Sequence, residues 1–205
     1  MDDFIGEEPD CGIARKKRML YELYSRFEED AFPFKKNAVC RKGCSFCCTF
    51  MGDIDITTLE GMAIRERLSL IPPDERSRLY SMIEGNRMAR ERGKAAPCPF
   101  INEQGACSIY EVRPFTCRQL YSLKKCNGRG ATIHRQVYQL SREVITRIQR
   151  LDDAGYSGHI SFILHLLDDA EFTDVYLSGK FDPERIRDFG RSHKIVINRT
   201  PRSGS

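Results

Sequence analysis

Four cysteines crowd into nine residues, "CRKGCSFCC" at positions 40–48, and four more follow at Cys98, Cys107, Cys117 and Cys126. What this chain can fold into is limited first by where these thiols must meet. Spacings of two or three residues let one turn of backbone aim several sulfurs at a point, as zinc and iron–sulfur sites require. The adjacent Cys47 and Cys48 are different, because neighbouring side chains diverge. Either they face two centres, or one ligates while the other lies behind it. Buried, inert thiols are the ordinary alternative. That reading suits the lone Cys11 but not four cysteines in nine residues.

Compartment decides between disulfides and metal. The stretch "MDDFIGEEPDCGIARKKR" is acidic and then basic, with no apolar core ahead of a small-residue cleavage site, so no secretory signal is expected. The longest uncharged apolar run, "YSGHISFILHLL", is about half the length that spans a bilayer. The expectation is a cytoplasmic protein without a membrane partner, in which a disulfide framework is disfavoured. An odd count of nine cysteines argues the same way.

Eight thiolates also need offsetting charge. Arg41, Lys42, Arg113, Arg118, Lys124 and Lys125 all lie within a few residues of a cysteine. A solvated basic surface would explain most of them. Arg113 and Arg118 bracket Cys117 and are the pair expected to be buried behind the ligands, supporting the cofactor. The net charge of +4 is mild for 205 residues and permits an acidic partner without arguing for one. No patch interleaves basic and exposed aromatic residues, so nucleic acid is not expected, while a protein partner stays open.

The rest reads as a mainly α fold, helices interrupted by two irregular cysteine-rich segments. Leu20, Leu23, Tyr24 and Phe27 form one apolar stripe at helical spacing. "DIDITTLEGMAIRERLSL" opens with a short strand-like alternation and meets a capping box at Thr57 and Glu60. Pro72 and Pro73 end that helix, and Asp74 leads into the next. "CPFINEQGACSIY" suggests a hairpin turning at Glu103 to Gly105. The most strongly periodic helix runs through Ile133, Val137, Leu140, Val144, Ile148 and Leu151, and two more follow, around residues 160–167 and 170–177. One cysteine-cluster domain over 1–195 is expected, with its cysteine-rich core at 40–126, helices at 130–178 and a disordered tail at 196–205. The two helices between the cysteine groups can fold back as a hairpin and bring both groups to one end.

The order "CRKGCSFCC", "CPF", "CSIYEVRPFTCR" and a final cysteine resembles the YkgJ-type cysteine-cluster family, a zinc- or iron-chelating domain. The likeness runs from Cys40 to Cys126, and "IDITTLEGMAI" is similar to the family's strand-then-helix step. The resemblance implies a metal site built from Cys40, Cys44, Cys47, Cys48, Cys98, Cys107, Cys117 and Cys126, with Cys11 outside it. Some relatives, such as the flagellin lysine methylases, carry a similar cluster with a proposed 4Fe–4S centre in methyl transfer. Nothing here matches a substrate site, so that chemistry is not carried over and enzyme activity stays open.

Three other readings compete. "CRKGCSFC" fits the cluster signature of radical S-adenosylmethionine enzymes, but that fold alternates strands and helices and this chain does not. A zinc-organised interaction module would draw folding energy from its metal. A thiol redox or metal-trafficking protein would use the C-x-x-C spacing of Cys44 and Cys47. His134, His159, His165 and His193 are scattered and read as surface or satisfied core residues. Among metals, closely spaced loop cysteines beside "CP" resemble a ferredoxin-type run and place an iron–sulfur cluster ahead of zinc, although eight thiolates also divide into two tetrahedral Zn(II) sites.

Overall fold

A computed structural model of the chain describes residues 12–199 apart from Lys42 and Asn127, with the backbone but not the side chain of Met51. Cys11 and residues 200–205 lie outside the described residues.

Two helices form one half of the molecule. α1 (Gly12–Lys35) buries Leu20, Tyr24, Phe27 and Ala31, a stripe of three- and four-residue steps. It packs along α5 (Arg135–Leu151), which contributes Val137 and Ile148. Lys16 pairs with Asp153 at 2.8 Å, just past the C-terminal end of α5, and Phe34 stacks on His134 beside its N-terminal end, so the two helices run antiparallel. Phe115 completes this half, its ring 4.7 Å from that of Phe27.

The other half is built on α2 (Thr58–Ser69), α3 (Pro73–Glu91), α6 (Ile160–Asp168) and α7 (Ala170–Leu177). Thr57 and Glu60 form the expected capping box at the start of α2. Pro73 takes the first position of α3, where its missing N–H costs nothing. α2 and α6 approach closely enough that a Cβ on Gly61 would stand 2.7 Å from Leu167. Ile64, Leu68, Ile163 and Leu167 have essentially no exposure, and each is worth about 1.5–3 kcal/mol of apolar burial.

A small antiparallel sheet joins the halves, β1 (Asp55–Thr57) beside β2 (Tyr156–His159), which pairs in turn with β3 (Val196–Ile197). β2 is wholly buried despite its polar "YSGH" sequence, because Ser157 and His159 spend their polar atoms inside the protein. The mainly α expectation holds, and α1, α2, α3, α5, α6 and α7 fall where periodicity placed them. A short α4 (Phe115–Gln119) and α8 (Arg187–Ser192) were not foreseen.

The hairpin expected near 98–110 is present in short form: Ile101 and Cys107 make an antiparallel bridge, Asn102 N donates to Ala106 O and Ser108 N to Phe100 O, and the chain turns at 103–105, where the Asn102 side chain accepts from Gln104 N and Ala106 N. One expectation needs correction. Residues 196–199 are not a tail: β3 lies there, and buried Asn198 bonds Ser157 and Asp152. Among the described residues there is no alternation of parallel strands and helices, so the partial barrel of a radical S-adenosylmethionine enzyme is not this fold.

Candidate metal centre

The first cysteine segment ends in a π-helical turn, Cys47–Met51, closed where Gly52 N donates to Cys47 O at 3.4 Å. π-turns recur at functional sites. Gly52 is obligatory there: its φ is +54°, and a Cβ would meet Ala96 O at 2.9 Å. Its carbonyl is gripped from two sides, by His159 Nε2 at 3.0 Å and by the Arg90 guanidinium, which also pairs with Asp53 at 2.9 Å. Gly52 O can only accept, so the proton sits on Nε2 of His159. Nδ1 then accepts from Ser161. Burial holds His159 down at about 4, so it stays neutral.

The helical hairpin α2–α3 brings the second segment back. Cys98 N donates to Cys48 O at 2.7 Å, a direct bond between the two cysteine groups. The remaining cysteines are positioned locally. Cys117 sits on α4, whose first N–H is held by Glu60 at 2.7 Å. Glu60 also accepts from the Tyr24 hydroxyl at 2.6 Å, tying α1, α2 and α4 at one buried carboxylate. Cys126 follows the irregular segment 121–124, where Val39 N donates to Ser122 O and Ser122 N donates to the Cys40 sulfur at 3.2 Å.

All eight described cysteines are free thiols. They fall into two neighbourhoods, not in the order of the sequence. Cys40 hydrogen-bonds Cys44 and feels the charge of Cys126, while Cys47 feels Cys126, Cys40 and Cys44. Cys48 belongs elsewhere: the Cys98 thiol donates to its sulfur, and Cys48 acts on both Cys107 and Cys117. The quartets are therefore Cys40, Cys44, Cys47, Cys126 and Cys48, Cys98, Cys107, Cys117. Cys47 also feels its neighbour Cys48, the link between the two.

Burial raises the Cys47 thiol to about 11 and pushes Cys40, Cys107 and Cys117 up as well. Cys48 is lowered by the hydrogen bond from Cys98, which is raised by the same bond. Among the described residues no three His, Cys, Asp or Glu side chains already stand at coordinating positions. The donor set nevertheless fits a thiophilic metal. Crowded thiols bind cations well as thiolates, and each quartet offers the four sulfurs that an all-cysteine zinc or iron–sulfur centre uses.

Of the two arginines, Arg113 lies where its charge favours the thiolates of Cys107 and Cys117. Arg118 is spent otherwise, donating to Glu28 at 2.6 Å and to the carbonyls of Arg113 and Glu111, with its guanidinium 4.4 Å from the Tyr24 ring. His159 is a satisfied core residue, as its sequence position suggested, but its bond to the cysteine turn was not legible, nor were the parts played by Arg90 and Ser122. Only the capping box pointed to Glu60.

Fold and site together define a helical cysteine-cluster protein of the metal-chelating kind. The family comparison makes this specific. Residues 39–142 match the CxxCxxCC family, described as "putative zinc- or iron-chelating domain", and the chain belongs to it. All eight clustered cysteines lie within that segment. No curated protein and no solved structure matches the chain.

Proposed function

We propose that the protein carries two cysteine-ligated metal centres, one on Cys40, Cys44, Cys47 and Cys126 and one on Cys48, Cys98, Cys107 and Cys117. The observation that carries this reading is that Cys48 is bonded to Cys98, through its carbonyl and its sulfur, while Cys47 lies among Cys40, Cys44 and Cys126. In the first quartet, three cysteines of one loop joined by a remote fourth, with a further cysteine of that loop serving the other centre, resemble the ligand sharing of two-cluster ferredoxins, although the spacing differs and the second quartet comes from separate segments. Iron–sulfur is accordingly the first assignment and zinc the second. Two iron–sulfur clusters bound in this way supply one-electron chemistry.

The chain's own part is to hold the thiols and set their surroundings. Ser122 N–H and the Arg113 charge stabilise thiolate, the first at Cys40 and the second at Cys107 and Cys117. Gly52, His159 and Arg90 fix the turn that points Cys47 and Cys48 apart. Anaerobic purification followed by iron, zinc and sulfide analysis and an optical spectrum tests the assignment. Broad absorption near 400 nm with about eight iron and eight sulfide per chain, the content of two 4Fe–4S clusters, is expected. A colourless protein holding two zinc ions transfers the site to zinc. A fully folded protein free of metal after anaerobic reconstitution refutes the metal function.

A further inference from the structure

A cavity of about 340 Å³ opens beside α4, between that helix, β1, α5 and the segment leading into β3. Its volume lies at the lower end of small-molecule sites. Two of the acids on its wall are already engaged, Asp53 with Arg90 and Glu60 with Tyr24 and Phe115 N. The other charges are not. Among the described residues the Asp55 carboxylate and the Lys194 ammonium, both lining the cavity and both on residues that also reach solvent, make no hydrogen bond or ion pair, with each other or with anything else. The Gln119 amide, also on the wall, is equally without a partner.

Lys194 is held in place by its backbone. It stands at φ +56° just past α8, where Ile195 N donates to Gly190 O, so the root of its side chain is fixed at the cavity mouth. Partial burial, and then the nearby Asp53, push the Asp55 carboxyl above its ordinary range, and the charge of Arg90 offsets them only in part. A cationic group beside it would reverse that. Neither a simple cation nor a simple anion suits the cavity, since each would leave one of the two charges opposed. A zwitterion answers both. Ile145, Ile148 and Phe115 give the same cavity an apolar wall.

We propose that this cavity binds a free α-amino acid with an apolar side chain, its ammonium on Asp55, its carboxylate on Lys194 and its side chain against Ile145, Ile148 and Phe115. The site is independent of the metal reading, although Thr116 and Gln119 flank Cys117 on the helix it borders. Calorimetric titration of the full chain with L-leucine, L-leucinamide and N-acetyl-L-leucine tests it. Saturable binding of leucine is expected, weakened at least roughly tenfold when either charge of the ligand is removed, as loss of a charge-assisted hydrogen bond entails. Asp55→Asn and Lys194→Met should produce the same losses, with the melting temperature of each variant showing that it still folds. Absence of saturable leucine binding in the millimolar range overturns the proposal. So does equal binding of all three ligands, or leucine binding indifferent to both substitutions in folded protein.

Discussion

At Asp152, donors from three segments meet one fully buried carboxylate: Leu59 N–H and the Asn198 amide on Oδ2, and the Tyr176 hydroxyl on Oδ1. Burial outweighs these bonds and the more distant charge of Lys16, and the carboxyl is pushed up to about 7. In the unfolded chain it titrates near 4. Between those values the folded protein keeps a proton that the unfolded chain has lost. The stability this contributes is complete below pH 4 and fades as pH rises through 7. Asp152→Asn can place its amide where Oδ1 was, donating to a rotated Tyr176 hydroxyl, and so mimics the protonated acid. Urea denaturation is expected to show wild-type stability falling between about pH 4 and pH 7 and levelling off above, with a clearly smaller fall in the variant. Equal slopes would mean that another group controls it. His159 gives a second prediction at this scale. His159→Ala removes one of the two donors to the Gly52 carbonyl, leaving the Arg90 guanidinium on it, and should cost about 0.5–1.5 kcal/mol, the net worth of one hydrogen bond. Metal should be lost more readily than from wild type, since Gly52 closes the turn that carries Cys47 and Cys48, read as metal per chain after a chelator challenge. Unchanged metal retention would limit His159 to the scaffold.

Elements were legible in proportion to their length and regularity. The α1 stripe, the α5 period and the Thr57–Glu60 box each agree with local preference and with the core, so sequence alone places them. β2 was not legible. Four residues, two of them polar, carry no alternation, and their burial depends on Asn198 and Gly52, distant in sequence. α4 is too short to show a period, and its start is fixed by Glu60, 55 residues away. The α2–α6 contact was equally hidden, since Gly61 looks like a weak point in a helix until Leu167 is seen against it. Gly61→Val should therefore destabilise by about 1–3 kcal/mol in denaturant titration, through overpacking. A variant as stable as wild type would show that α6 can shift to make room.

For the whole molecule, sequence distance groups the cysteines as Cys40 to Cys48 and Cys98 to Cys126, and the fold regroups them. Segment 121–126 returns beside residues 39 and 40 through the Ser122 bonds, carrying Cys126 to the first loop. Cys48 is drawn the other way by Cys98. That exchange needs tertiary contacts, so the cysteine-rich motif predicted a metal site without dividing it. Support for the site also extends past the family segment, since His159 lies beyond residue 142. The most direct test is metal content by native mass spectrometry in Cys→Ser variants of Cys47, Cys48, Cys98 and Cys126. Two separate centres predict that Cys47→Ser and Cys126→Ser lose one and the same centre, while Cys48→Ser and Cys98→Ser lose only the other. If Cys47→Ser and Cys48→Ser empty the same single centre, the two-centre account is wrong.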